Sequence, residues 1–407
     1  MKICLYKNTL YVGGAERVIS RLTQILKKQG HDVYTMLSDA QGAAYHLEGT
    51  VIDFGVPKGK TFFQKCIVLL LRIKNVKRYK RDYSFDVTIS FLDGSNLVNI
   101  LTRKEPGKTF ASIRNHLSSE IVNTPRFYRA FYIWGYSRLY RKADGVISVS
   151  RAIARDMEVT FHIPPNKSSV LYNPYDSQDI ITESKSSPSE DYIAFCSNKD
   201  KIICSIGRMQ YQKGYWHLLK IFSVLAKRNP NIGLLIIGTG EQEGKIHELA
   251  KTLCIQDNIY FAGYQKNPFS YMKYCSAYVL SSLFEGFPNA MVEAMGLGLP
   301  IIAADCQTGP REILAPELSI DSLTVDTSYA ASYGILMPPL VSDEDWGPQV
   351  YVEEIFWADT IGNFLDNESS LLNYKVKSIT RFNAFSYDAC FQALMQILES
   401  TDGSAES

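Results

Sequence analysis

The chain has 407 residues, 46% hydrophobic and 12% aromatic, more than a single hydrophobic core usually organises, so two domains are expected. Its net charge of +1 hides an asymmetry: residues 1–190 hold 28 Lys and Arg against 17 Asp and Glu, whereas residues 191–407 hold 15 against 25. No apolar stretch approaches a bilayer span, no secretory leader pattern opens the sequence, and eight scattered cysteines without a CxxC pair exclude a disulfide or zinc scaffold; a cytosolic protein with reduced core cysteines is expected.

In chain order, "KICLY" predicts a strand, "GGAERVISRLTQILKKQG" a helix closed by Gly30, and "DVYTML" a second strand. Residues 62–83 place Phe62, Cys66, Leu69, Ile73, Val76 and Tyr79 on one helical stripe, with seven Lys or Arg and one Asp over the segment. "DVTISF" is a further strand, residues 126–143 interleave Arg and Lys with aromatics, and "GVISVS" is a late strand. Each of the two basic segments is expected to bury one stripe and to offer its remaining basic face to an anionic membrane surface. Nucleic acid is not expected, because no binding motif accompanies the charge.

The polar stretch 179–192 lacks periodicity and reads as a linker. After it come strand "IICSIG", a helix from Tyr215 to about Arg228, strand "IGLLIIG", a helix from Gln242, strand "NIYFAG", a helix around Ser270, strand "AYVLSS", a helix from Asn289 and strand "PIIAA". "SYDACFQALMQIL" is a terminal helix followed by a frayed tail. The expected division is therefore 1–190, 191–385 and a terminal segment 386–407, with two α/β doubly wound sheets facing each other across a cleft. Ligands of such sheets bind at the C-terminal ends of the strands.

Two strand-to-helix loops of the second half carry chemistry. In "LFEGFPNAMVEAM", Phe287 precedes a proline and avoids helix, so Pro288 is expected at the first helical position. Glu285 then sits in the loop and Glu293 just over one turn into the helix. The N–H groups of Asn289, Ala290 and Met291 are expected to be open to an anionic diphosphate, and Glu293 could accept both hydroxyls of a ribose. "GRMQYQKG" offers two cations, Arg208 and Lys213, at another strand end. No metal constellation is apparent, and "SDED" near Asp343 reads as an acidic surface run.

Together, "GGAERV", "GRMQYQKG", "GTGEQEGKI", "FAGYQKN" and "LSSLFEGFPNAMVEAMGLGLPIIAADCQTGPREI" resemble the retaining glycosyltransferases of family 4 with the GT-B fold, most densely over residues 201–314. The resemblance implies two Rossmann-like domains with a C-terminal helix crossing back to the N-terminal one. It implies that Arg208 and Lys213 hold the donor diphosphate, with Asn289 and Ala290; that Glu293 binds the ribose; and that Glu285 lies near the transferred sugar, beside Phe287 and Pro288. Tyr264 falls on the nucleobase side, and Gly13 and Gly14 form the glycine loop of the N-terminal domain. His116, in "SIRNH", matches a histidine that reaches the sugar. Asn173, in "YNPYD", lacks the glycine that usually follows it, and residues 315–332 form a longer connection than usual. No cofactor or metal ion is implied.

The function so implied is transfer of a hexose or N-acetylhexosamine from a UDP-sugar, with an α linkage, to a glycan acceptor carried on polyprenyl diphosphate, by a cytoplasmic protein peripheral to the membrane's inner face. A soluble relative using a small sugar or sugar-phosphate acceptor is the main alternative. A two-domain binding protein is disfavoured because such proteins are usually exported. A nicotinamide dehydrogenase is disfavoured because "GTGEQEG" lacks the GxGxxG spacing.

Overall fold

The computed structural model describes residues 1–400 except 12, 43–44, 122–123 and 307; the expected tail from residue 401 onward lies outside the described residues. The chain forms two compact units, Met1–Tyr175 with the C-terminal segment from Phe385, and Asp176–Ala384.

The first unit is built on strands β1 (Lys2–Lys7), β2 (Asp32–Leu37), β3 (Thr50–Asp53), β4 (Val87–Phe91), β5 (Lys108–Ile113), β6 (Gly145–Ser148) and β7 (Ser168–Val170). They lie in the order β3-β2-β1-β4-β5-β6-β7, and every pairing is parallel. Their cores are near-continuous apolar runs, as strands covered on both faces require. One face packs against the helix Gly14–Lys28 through Val18, Ile19, Leu22 and Leu26, together with Cys390, Leu394 and Leu398 of the terminal helix Tyr387–Ser400. The chain re-enters this unit beside its exit: the Tyr175 N–H donates to the Phe385 carbonyl at 2.9 Å, and Tyr175 bridges Ser386.

The basic helix Phe62–Tyr83 departs from its expected packing. Val76 and Lys80 are fully buried and Leu69, Ile73 and Tyr79 pack at the core margin, but Phe62 is 83% exposed and Cys66 is exposed too. A capping box between Thr61 and Gln64 starts the helix about two turns before it meets the core at Leu69. Its first half, with Phe63, Ile67, Leu70 and Leu71, is therefore a formed but uncovered apolar surface.

The second unit is built on β8 (Lys201–Ile206), β9 (Ile232–Ile237), β10 (Ile259–Gly263), β11 (Ala277–Leu280), β12 (Ile301–Ala304), β13 (Tyr329–Ala330) and β14 (Ile335–Met337). The order is β10-β9-β8-β11-β12-β14-β13, parallel except for the β13 edge. The stretch expected to be a linker instead holds two helices of this unit, Ser177–Ser184 and Glu190–Ser197. Asp176 caps the first by accepting from the Gln178 N–H at 2.8 Å, and each is fixed by one anchor, Ile180 or Tyr192, both buried. One anchor in eight residues leaves no periodicity to detect. Two long helices went unread, Val352–Asp366 and Glu368–Phe382.

Candidate functional site

In the second unit, the register Tyr278↔Cys204 brings β8 and β11 out at one edge. Their following loops are joined by backbone and side chain: the Leu283 N–H donates to the Gln212 carbonyl and the Ser281 hydroxyl to the Lys213 carbonyl, both at 2.9 Å. Gly214 has φ +58°, and a Cβ there would lie 2.5 Å from the Ser281 carbonyl oxygen, so only glycine lets the loops meet.

This juncture places Lys213 Nζ 2.6 Å from Glu285 Oε1. The same oxygen accepts from the Ser282 hydroxyl at 2.6 Å. Gln212 Nε2 donates to the Phe284 carbonyl at 2.8 Å and reaches the other carboxylate oxygen at 3.4 Å. Glu285 is buried, and burial of a carboxylate is sustained here by a cation and two neutral donors. Arg208, at the start of the same loop, is exposed and its side chain has no partner among the described residues. The neighbouring Cys306 thiol is pushed well above its ordinary range, first by burial and then by the negative Glu285.

The helix Asn289–Gly296 begins at Asn289 as the chain-order reading expects, but Pro288 is its cap and not its first residue. Pro288, with φ −78° and ψ 81°, precedes it, and the Asn289 N–H donates to the Phe287 carbonyl at 2.9 Å across this turn. The Met291 N–H donates to the Pro288 carbonyl at 3.0 Å. Of the three N–H groups expected to be open, only that of Ala290 has no backbone acceptor among the described residues. Phe287 and Glu293 are buried, Glu293 in the second turn of this helix, and Tyr264 beyond β10 is 59% exposed.

A third loop joins these two. Gly309, with φ +90°, packs so closely that a Cβ would lie 2.6 Å from Pro288 Cδ. Beside it, the Thr308 hydroxyl is buried without a partner among the described residues. The long connection 315–332 is tethered to the end of β12: Arg311 pairs with Asp305 and donates to the carbonyls of Ser319, Ser322 and Leu323. The acidic run is tied down as well. Asp345 accepts from the buried Lys220 at 2.7 Å, and Glu344 accepts from the Trp346 indole N–H and from Lys245 at 3.0 Å; these bonds hold both carboxyls below their usual range. Among the described residues no group of three or more His, Cys, Asp or Glu could hold a metal ion.

In the first unit, Gly13 is extended and Gly14 opens the helix. Glu16 of "GGAERV" pairs with Lys7 at the end of β1, and a side chain on Gly13 would collide with that carboxylate. "SIRNH" and "YNPYD" come together through a residue the sequence reading passed over: the half-buried Arg114 donates to Asn173, and desolvation of its guanidinium lowers its pKa to about 10. His116 stands before the helix Leu117–Glu120, its Nδ1 2.9 Å from the Ser119 hydroxyl and 3.8 Å from Asp156. Burial lowers its pKa, and Asp156 opposes that in part.

The chain matches two sequence families, "Glycosyltransferase Family 4" over residues 12–179 and "Glycosyl transferases group 1" over residues 193–328. It is 30% identical over 344 residues to an uncharacterised glycosyltransferase of Methanocaldococcus jannaschii, covering 82% of this chain and 84% of that one. It is 25% identical over 331 residues to the N-acetylgalactosamine-N,N'-diacetylbacillosaminyl-diphospho-undecaprenol 4-alpha-N-acetylgalactosaminyltransferase of Campylobacter jejuni, covering 78% and 84% of the two chains. Among solved structures, Anabaena HepE, crystallised with UDP and glucose, superposes with a TM-score of 0.71 at 16% identity over 98% of this chain and 100% of that one.

Proposed function

We propose that this chain, which belongs to the family 4 glycosyltransferases of the GT-B fold, moves a hexose or N-acetylhexosamine from a UDP-sugar to a polyprenyl-diphosphate-linked glycan in surface polysaccharide or oligosaccharide assembly. The observation that carries this reading is the 2.6 Å contact of Lys213 with the buried Glu285, set beside Arg208, whose side chain has no partner among the described residues. Without donor, the two charges satisfy each other. A diphosphate arriving between Arg208 and Lys213 draws the ammonium toward itself and leaves the carboxylate, still held by Ser282, to face the sugar. Glu293 takes the ribose hydroxyls, the Ala290 N–H and the Thr308 hydroxyl are further donors to the donor substrate, and Tyr264 lies on the base side. His116 is assigned to the sugar by the family resemblance, and burial lowers its pKa.

Transfer is a same-face displacement. The anomeric carbon–oxygen bond to the diphosphate breaks, the acceptor oxygen bonds to that carbon, and the acceptor's proton passes to the departing phosphate oxygen. The α configuration is retained, and the charge on UDP is met by Arg208 and Lys213 without a metal ion. HepE's complex with UDP supports the donor, and the undecaprenol in the Campylobacter relative's name supports the acceptor. No helix among the described residues is long and apolar enough to cross a membrane. Attachment to the cytoplasmic face is through the segments 62–83 and 126–143, whose exposed aromatics, not only their cations, face outward.

The test is UDP release across a panel of UDP-sugars with and without EDTA, then NMR of the product's anomeric centre. Turnover that survives EDTA and yields an α anomer agrees with the proposal; a β product or strict metal dependence overturns it.

A further inference from the structure

The C-terminal edge of the first unit's sheet holds a cation that the fold does not neutralise. Arg114 directly follows β5, where the register Phe91↔Ser112 sets it beside the end of β4, and its guanidinium lies 5.9 Å from the Phe91 ring centroid. Nη2 donates to Oδ1 of the buried Asn173, beyond β7. Nε and Nη1 have no partner among the described residues, and no carboxylate there lies within ion-pair distance. The carboxylate whose charge reaches this guanidinium, Glu16, is bound to Lys7 at the end of β1.

Arg311 of the second unit shows how this chain treats an arginine that serves the fold. Asp305 accepts from its Nε and Nη2, and the carbonyls of Ser319, Ser322 and Leu323 accept its remaining N–H groups. Every donor of that guanidinium is used, and its charge is met by a carboxylate. Arg114 is half-buried yet has one neutral amide oxygen for the same set of donors. Withdrawing a guanidinium from water without a counter-charge is unfavourable unless a ligand supplies the missing acceptors. The strand ends where this occurs are also where open α/β sheets bind ligands.

We infer that Arg114 receives a carboxylate borne by the accepting sugar, so that the acceptor glycan ends in an acidic sugar such as a hexuronate; the inference rests on the transferase reading above. One uncompensated charge matches a monoanion. The planar fork, with only one N–H committed to Asn173, can meet both oxygens of a carboxylate at once. A diphosphate calls for more than one cation, and the neighbouring Lys7 is already paired with Glu16. The Phe91 ring beside the guanidinium excludes water from one side, which strengthens a charged contact made there.

Titration of the full chain, saturated with UDP to occupy the cations of the second unit and read by ligand-observed NMR, tests this. Methyl α-glucuronide should bind about tenfold more tightly than methyl α-glucoside, the scale of one hydrogen-bonded charge pair. Arg114→Lys, which loses the fork, should keep only part of that preference, and Arg114→Gln, which can still donate to Asn173, should lose it. Asn173→Asp supplies the missing counter-charge from within the fold and should lose it too, which keeps the test open if Arg114→Gln fails to fold. An undiminished preference in either of these last two variants that folds overturns the inference, as does equal binding of glucuronide and glucoside by the wild type. Glucose 1-phosphate binding more tightly than the glucuronide would mark a phosphate site and overturns the carboxylate assignment. If glucuronide binding follows these expectations but no uronate-ended glycan is elongated with any UDP-sugar, the transferase reading of the acceptor fails and the carboxylate site stands.

Discussion

The two sheets have the same doubly wound plan, but they expose opposite chemistry. At the edge of β8 and β11, charge is turned inward: Glu285 is buried and bound to Lys213, Ser282 and Gln212. On the first unit, apolar surface is turned outward, in the opening turns of Phe62–Tyr83 and along Arg126–Tyr140. A buried, fully partnered carboxylate costs desolvation and persists where its geometry is used; an uncovered aromatic row costs hydration and persists where something covers it. On the reading proposed above, the same architecture serves a small charged ligand in one unit and an extended apolar partner in the other.

The sharpest way to break this division is at the ion pair. Lys213→Ala or Glu293→Ala should lower UDP-sugar turnover by about 10²–10³-fold, the scale of losing one preorganised charge or donor, with vesicle binding unchanged. Wild-type rates in both would remove the site from the second unit. Next in size, Phe131→Ser combined with Trp134→Ser should reduce co-sedimentation with anionic vesicles by roughly tenfold or more, given ~1.5–3 kcal/mol for each large apolar side chain, and leave donor hydrolysis intact. Loss of hydrolysis in that variant would mean the two regions are not independent.

A finer probe is Ser282→Ala, which removes one of the two 2.6 Å bonds to Glu285 Oε1. A hydrogen bond to a charged group is worth about 1.5–3 kcal/mol, so kcat should fall about tenfold or somewhat more, with little change in donor KM. Ser282→Thr should restore most of it, which a merely structural role would not predict.

A last test leaves the site and concerns the first unit's interior. Lys80 is fully buried, donates to Thr109 at 3.1 Å, and burial lowers its pKa from 10.5 to about 8. Between those values the folded unit holds fewer protons than the unfolded chain, so stability should rise with pH over that window, by up to ~3 kcal/mol. Lys80→Met should flatten this rise in urea melts taken at pH 7 and pH 10; an unchanged slope would assign the rise to other groups.

Much of the second unit was legible because its strands are Ile- and Leu-rich runs bounded by glycine, and because Pro288 separates Glu285 from the helix that carries Glu293. Ser282, Gln212 and Thr308 were not, since neutral polar residues acquire a role only through strand register. The Ser-x-x-Glu spacing of Ser282 and Glu285 is the one signal that was available. The Asn289 N–H was expected to be open, and the tight turn at Pro288 consumes it. In the first unit, periodicity located the basic helices but could not tell a stripe that meets the sheet from one that overshoots it, so Phe62 and Cys66 were assigned inward.

The adjacency of Tyr175 and Phe385 has a consequence for biosynthesis. The second unit is an insertion within the first, whose core needs Cys390, Leu394 and Leu398 from the far end of the sequence. During translation the inserted unit has all its residues first, while the earlier-made sheet lacks the cover of Cys390, Leu394 and Leu398 until the helix Tyr387–Ser400 leaves the ribosome.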